Sequence, residues 1–130
     1  MFVLMKREIK FRGLRTDGKG WAYGCFIHTN VDVPCIVFGD GEQFEVIPES
    51  VCQFTGLKDS KGTEVYEGDI VKLTNTGYGF NTGKVIWGAH SSPSFTAEQL
   101  DADFPSTYHL QVRPSEIEII GNIHENPGLI

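Results

Sequence analysis

The chain has 130 residues, of which 40% are apolar and 22% charged, and this ordinary globular mix excludes wholesale disorder. Its net charge of −6 disfavours a protein that grips nucleic-acid phosphates over its whole surface. Cys25, Cys35 and Cys52 show no CxxC spacing, which argues against a zinc site or a disulfide framework and predicts three buried thiols. The apolar start, MFVLM, is too short for a membrane span or a signal peptide. We therefore expect a cytoplasmic protein of one or two small lobes.

The charge is unevenly distributed along the chain. Residues 5–20 carry six bases against two acids, a local charge of +4, which leaves −10 for the remainder. The six bases are Lys6, Arg7, Lys10, Arg12, Arg15 and Lys19. We interpret this segment as a solvated strand face that offsets the acidic body. A nucleic-acid-binding strand is the alternative, if the bases converge beside exposed aromatic side chains.

The first quarter of the chain predicts a hairpin. Residues 7–14 alternate, with Ile9 and Phe11 on one face and Lys10 and Arg12 on the other, which indicates a half-buried strand with a basic outer face. The Gly-rich segment 16–20 predicts a turn. Residues 21–27, WAYGCFI, return as a second strand that places Trp21, Tyr23, Cys25 and Ile27 on one face.

A second hairpin follows. Residues 34–38 and 42–47 predict its two strands, and the Gly-Asp-Gly sequence at 39–41 predicts the turn between them. Pro48 then favours one turn of α- or 3₁₀-helix, because proline fits the first helical position. Residues 48–54 are interpreted as the hinge between two halves of the chain.

The most patterned stretch is residues 53–73, QFTGLKDSKGTEVYEGDIVKL. Asp59 and Gly62 occupy the first and fourth positions that a type I turn prefers, which predicts a small hairpin ending at 64–66. At the corner that follows, Gly68 is expected to adopt an unusual φ and Asp69 to cap the turn by accepting bonds from backbone amides. Residues 69–73 then form a strand with Ile70 and Val71 both buried.

The last part of the chain is also patterned for strands. Residues 75–83 form a Gly-rich loop that carries Tyr78 and Phe80, and residues 84–88 predict a strand with Val85 and Trp87 inward. Segment 96–100 predicts one helical turn capped by Thr96. Strands are predicted at 107–112 and 118–123, with a simple turn or a 3₁₀ turn at 114–116 between them.

The predicted fold class is mainly β. N-terminal antiparallel hairpins in residues 5–54 pack on a C-terminal SH3-like small β-barrel in residues 55–130, with one or two single-turn helices. The two parts are expected to form one compact unit.

Four ordered segments resemble the YopX family of bacteriophage and prophage proteins. They are the opening MKREIKFRGL, the WAYG run, residues 53–71 and the ending IGNIHENPGLI. The resemblance implies a mostly β fold, expression in a bacterial cell that carries a phage or prophage, and a homo-oligomer. The function of the family is unknown, so the resemblance implies no enzyme activity and carries over no catalytic residue.

No constellation of residues predicts a cofactor, a metal or a catalytic site. His28, His90, His109 and His124 are scattered, without the spacing that places two imidazoles on one metal. Glu64, Glu67 and Asp69 cluster beside Tyr66, where carboxylates hold a divalent cation, perform acid–base chemistry or simply form a polar corner. We favour the polar corner.

Three hypotheses for function follow. The favoured one is a non-catalytic binding or self-assembling β module that pairs with itself or with another protein through strand edges and exposed aromatics. The alternative is a nucleic-acid-binding barrel that uses the basic strand 6–19, and the third is an enzyme acting through the acidic corner. The residues proposed for an interaction surface are Tyr78, Phe80, Lys10, Arg12 and Arg15.

Overall fold

A computed structural model describes residues 9–27, 34–37, 41–73, 82–87, 94–100, 107–109 and 117–126, with 107–109 described by backbone alone. The fold is mainly β, as predicted, and its strands form two antiparallel sheets. The strands are β1 (Phe11–Leu14), β2 (Trp21–Ile27), β3 (Cys35–Val37), β4 (Gln43–Glu45), β5 (Cys52–Lys58), β6 (Glu64–Tyr66), β7 (Asp69–Leu73), β8 (Thr82–Trp87), β9 (Phe95–Gln99), β10 (Thr107–His109) and β11 (Ile117–Asn122). A 3₁₀ turn, η1 (Pro48–Ser50), confirms the predicted helical turn at Pro48.

The first sheet has the strand order β4-β3-β2-β1-β5-β6, and the chain divides into compact units at residues 1–56 and 57–130. Both hairpins predicted in the first unit are present, since β1 pairs with β2 and β3 pairs with β4. One face of this sheet carries the core of the first unit. That core consists of Ala22, Ile36 and Val46, with Phe11, Phe26, Phe44 and Val51 packed against them.

Val46 approaches the backbone of β1 so closely at position 13 that only glycine fits there without a shift. A Cβ atom added at Gly13 would lie 2.8 Å from Val46 Cβ and 2.9 Å from Cγ1. We therefore expect Gly13→Ala to lower the free energy of unfolding by about 1 to 3 kcal/mol through overpacking. Urea denaturation measures the change. The same substitution should cost less in a Val46→Ala background, which lacks both Cγ atoms but keeps Cβ, and an equal cost in the two backgrounds would show that the Cγ contacts are not responsible.

The second unit contains a five-stranded sheet with the order β10-β9-β8-β7-β11. Because side chains alternate along a strand, one face of this sheet packs into a core. The strands β7, β8, β9 and β11 all contribute residues to it. The core consists of Val65, Val71, Leu73, Val85, Phe95, Ala97 and Ile117, with Leu57 and Ile119 packed against it. The predicted burial of both Ile70 and Val71 is confirmed.

The turn between β5 and β6 closes over the outer edge of β11. The Asp59 carboxylate accepts hydrogen bonds from the backbone N–H groups of Lys61 (2.9 Å) and Thr63 (2.9 Å), which shape the turn. Its other oxygen accepts from Ile119 N–H at 3.0 Å, and Ser60 N–H donates to the carbonyl of Ile117. An edge that is paired in this way no longer offers its backbone groups to another strand.

The corner at Gly68 and Asp69 has the predicted geometry. Gly68 has φ +86°, and the buried Asp69 carboxylate accepts a hydrogen bond from Tyr66 N–H at 2.7 Å. The Gly68 N–H donates to the carbonyl of Val85, while its own carbonyl accepts from Ile123 N–H. The corner is therefore joined to β8 and to the segment after β11.

Two predictions in the second unit are wrong. The segment at Thr96 is not a helical turn but part of β9, which pairs with β8 on one side and β10 on the other. Two ladders and the burial of Phe95 and Ala97 outweigh a local capping signal. Trp87 is 48% exposed, because it ends β8, although one side of its ring packs edge-on against Phe95 at 4.7 Å between centroids.

Several predicted elements lie outside the described residues. They include the turn residues 39–40, most of the loop at 75–83, the segment 110–116, the ends of several strands, and His28 and His90. Within the part of the chain that the structure describes, no helix has the length and apolar character needed to cross a membrane.

Candidate functional site

The two faces of β2 have different environments. Ala22 and Phe26 belong to the covered side and contribute to the core, whereas Tyr23 and Ile27 on the opposite side are 40% and 45% exposed. Cys25 lies between them and is also exposed. The strand WAYGCFI is rich in the aromatic and branched residues that favour sheet, so its register alone decides which side chains face outward.

Strand β3 extends this exposed surface. Cys25 is paired with Val37 and Ile27 with Cys35, so those two β3 side chains lie on the same side of the sheet and are half-buried. We call the resulting surface the open face, and it consists of Tyr23, Cys25, Ile27, Cys35 and Val37. It is apolar and continuous across two neighbouring strands.

Opposite charges flank the open face. On the β1 side, Arg12 is paired with Tyr23, and Lys10 precedes it by two residues and therefore lies on the same side of the sheet. On the β4 side, exposed Glu45 is paired with Cys35, and Gln43 with Val37. The open face is consequently basic along one border and acidic along the other.

The predicted basic outer face is wrong for Arg12, which is only 6% exposed. Its guanidinium lies over the Trp21 ring, 4.3 Å from the centroid. A planar guanidinium stacks readily on an aromatic face because it is weakly hydrated. Arg12 therefore contributes to the packing of the sheet.

The other two bases proposed for the interaction surface also lie over aromatic rings. Lys10 Nζ is 4.9 Å from the Phe54 centroid, and Arg15 Cζ is 4.1 Å from the Phe44 centroid. Arg15 also forms an ion pair with Asp17, and its hydrogen bond lowers the pKa of that carboxyl below the ordinary value. Phe44 belongs to the covered face, so Arg15 lies on the opposite side of the sheet from Lys10 and Arg12. The nucleic-acid hypothesis requires the bases to converge on one face, and these three do not.

The remaining two residues proposed for an interaction surface, Tyr78 and Phe80, lie outside the described residues. Their role stays a prediction.

The acidic corner has a structural role in this fold. Asp69 is bonded to a backbone amide, and Glu64 Oε1 accepts from the Tyr66 hydroxyl at 3.4 Å. No group of three or more His, Cys, Asp or Glu side chains suited to a metal occurs among the described residues. The turn geometry thus explains why Asp69 is present, and the third hypothesis gains no support.

The prediction of three buried thiols is correct for Cys52 and wrong for Cys25. None of the three cysteines forms a disulfide, and Cys52 is buried, Cys35 half-buried and Cys25 exposed at the centre of the open face. Sequence alternation had placed Cys25 on one face with Tyr23 and Ile27, and that grouping was the available signal for the open face. Alternation alone does not reveal which side of a sheet is covered.

The fold and the open face define a class of protein: a mainly β protein of two compact units with an exposed apolar sheet surface. The YopX protein family model matches residues 10–130, and the chain belongs to that family. The chain is also similar to a solved structure, the crystal structure of protein EF1440 from Enterococcus faecalis. The two share 26% sequence identity with a TM-score of 0.53, over 95% of this chain and 99% of the other. No curated protein matches the chain.

Proposed function

We propose that this chain is a non-catalytic binding module of a phage or prophage, that it acts in the cytoplasm of the bacterial host, and that the open face is its binding surface. The observation that carries the proposal is the run of exposed apolar side chains Tyr23, Cys25 and Ile27 on the outer side of a sheet whose other side is a packed core. Contiguous apolar surface of this kind is typical of interaction sites.

The open face differs from isolated exposed apolar residues elsewhere in the chain. Ile120, for example, is exposed at a register shift in β11. The apolar residues of β7, the strand paired with β11, are buried, so Ile120 does not extend an apolar surface across the two strands. Single residues of this kind are common on protein surfaces. The open face instead joins side chains from two paired strands, so a partner would bury them together.

The chemistry of the open face favours binding over catalysis. Its members are aromatic, aliphatic and thiol side chains, and the charged residues Lys10, Arg12 and Glu45 occur only at its borders. A surface with an apolar centre and a polar rim has the anatomy of a protein–protein interface. Acid–base catalysis would be served by convergent carboxylate, imidazole or amine groups, and the open face has none of these among its own five residues.

Affinity capture of the tagged full chain from phage-infected cells tests the proposal. We expect Ile27→Ser to reduce the amount of bound protein about tenfold, because burying an apolar side chain in an interface contributes about 1.5 to 3 kcal/mol. Ile120→Ser is the matched control, since it removes an isoleucine of similar exposure from the second unit and should leave capture unchanged.

Mass spectrometry identifies captured proteins, including untagged copies of this chain, and sequencing identifies nucleic acid. Equal capture by Ile27→Ser and wild type, with both proteins folded by circular dichroism, would rule out the open face as the binding surface. Recovery of nucleic acid that is lost at high salt would instead support the alternative that uses residues 6–19.

A further inference from the structure

Two thiols of the open face form a diagonal pair on neighbouring strands. Cys25 of β2 is paired with Val37, and Cys35 of β3 is paired with Ile27, so the cysteines occupy opposite corners of a square on one side of the sheet. Cys25 is exposed and Cys35 half-buried, and neither forms a disulfide. We propose that this pair of thiols binds a soft, singly charged metal ion, Cu(I), between the two sulfur atoms. The site does not depend on the open face binding another protein.

The diagonal spacing of Cys25 and Cys35 favours a metal bridge over a disulfide. Diagonal neighbours on paired strands lie about 7 to 8 Å apart, whereas the Cα atoms of a disulfide usually lie about 4.4 to 6.8 Å apart. A direct S–S bond of about 2 Å would therefore require the two strands to shift. Two metal–sulfur bonds in line, each about 2.3 Å long as in zinc thiolates, span more than twice that length and suit the diagonal spacing.

The available donor atoms select the class of metal ion. Thiolates are soft ligands that Cu(I) prefers, and Cu(I) is stable with only two ligands in line, whereas structural zinc takes four. No group of three or more His, Cys, Asp or Glu side chains suited to a metal occurs in the part of the chain that the structure describes. Glu45, which is paired with Cys35, offers a hard carboxylate that a soft ion does not favour. A two-coordinate ion therefore fits this pair better than zinc.

The side chains around the two thiols are apolar. Ile27 and Val37 occupy the other two corners of the square, and Tyr23 lies two residues before Cys25 on the same side of β2. An apolar surrounding limits the access of water and of competing ligands to the metal. On binding, one Cu(I) forms a bond to each sulfur and both thiols lose their protons, so the complex carries one negative charge and the oxidation state of copper is unchanged.

Competition with a coloured Cu(I) chelator tests the site in the full chain, without oxygen and with ascorbate to keep copper reduced. We expect the wild type to remove one Cu(I) per chain from the chelator and to release two protons for each ion bound. Cys25→Ser and Cys35→Ser should each lower the affinity at least about 100-fold, because only one thiolate of the pair remains. Cys52→Ser is the matched control and should bind like wild type, since Cys52 is buried and its thiol donates to the Ser50 carbonyl.

A mixture of the two single variants distinguishes a site within one chain from a copper bridge between two chains. Each variant keeps one thiol of the pair, so the mixture should bind as weakly as either variant alone. Recovery of wild-type affinity in the mixture overturns the proposed geometry. A wild type that takes no Cu(I) from the chelator also overturns it, as does a Cys25→Ser variant that binds like wild type or a folded Cys52→Ser variant that does not.

Circular dichroism controls for damage to the fold. Cys25 is exposed, so its replacement by serine should leave the spectrum unchanged, and a loss of copper binding in that variant then reports the missing thiol. Capture of a partner in a manner sensitive to Ile27→Ser is measured without added copper. Either proposal for the open face can therefore fail while the other stands.

Discussion

Replacing Asp59 by alanine is expected to lower the free energy of unfolding by about 3 to 5 kcal/mol, one of the two largest effects we predict for a single substitution in this chain. One carboxylate accepts hydrogen bonds from three backbone N–H groups, those of Lys61, Thr63 and Ile119. Alanine would leave all three donors without this acceptor. It would also release the β5–β6 turn from the edge of β11.

Asp17 provides a matched control for this substitution. Its carboxylate also shapes a hairpin turn by accepting from a backbone N–H, that of Lys19, but the turn is exposed and no distant strand is attached to it. Asp17→Ala should therefore cost much less than Asp59→Ala, because an exposed carboxylate is well solvated and screened. Urea denaturation of both variants makes the comparison, and equal costs would show that the long-range bond to Ile119 adds no stability.

The pH dependence of stability provides a second measurement on Asp59. Burial is the largest single influence on its pKa and raises it, but the backbone bonds from Ile119, Thr63 and Lys61 together outweigh burial and lower the pKa below the ordinary value. The folded state therefore favours the charged form more than the unfolded state does. The resulting stability is present above the unfolded pKa of about 4 and is lost as pH falls through the lower folded pKa. Asp59→Asn should remove this part of the acid dependence.

Much of the fold follows from local sequence because the turns are chemically explicit. Asp59 and Gly62 specify one turn, and Gly68 with Asp69 specifies the next corner. The φ of Gly68 and the hydrogen bond that Asp69 accepts from Tyr66 N–H are as predicted. Such interactions span only a few residues, so a short stretch of sequence contains all the groups involved.

Features that depend on what packs above a strand were not predictable in the same way. Arg12 alternates as an outward residue, yet a cross-strand ring covers its guanidinium, and Thr96 carries a capping signal that two neighbouring strands outweigh. Trp87 lies on the predicted side of β8, but the strand ends there and leaves half of the ring exposed.

The candidate site was predicted only as a pattern. Alternation grouped Tyr23, Cys25 and Ile27, but the two faces of a strand are equivalent until the layering of the sheet is known. The open face has an acidic border because Ile27 is paired with Cys35 and Cys35 with Glu45. Local sequence patterns do not reveal this register, since the paired residues lie on different strands.

Gly68→Val is the second substitution with a large expected effect, and we expect it to cost about 3 to 5 kcal/mol. Valine at φ +86° would be strained, because a branched side chain rarely adopts left-handed backbone. Gly68 is also buried and bonded through its backbone to Val85 and Ile123, so the corner cannot relax without breaking those bonds. Backbone strain and the disturbance of a buried, hydrogen-bonded corner each contribute about 1 to 3 kcal/mol.

Gly18→Val separates these two causes. Gly18 has a similar φ of +77°, but an added Cβ would meet no other atom within 4 Å, so valine there pays only for strain. The excess cost of Gly68→Val over Gly18→Val therefore measures the burial and bonding of the corner. Trp87 fluorescence in a Trp21→Phe background reports unfolding of the second unit, and Trp21 fluorescence in a Trp87→Phe background reports the first. Equal costs for the two valine variants would show that only backbone conformation requires glycine at position 68. A larger cost at Gly68 would show that the corner stabilises the second unit through the strands it joins.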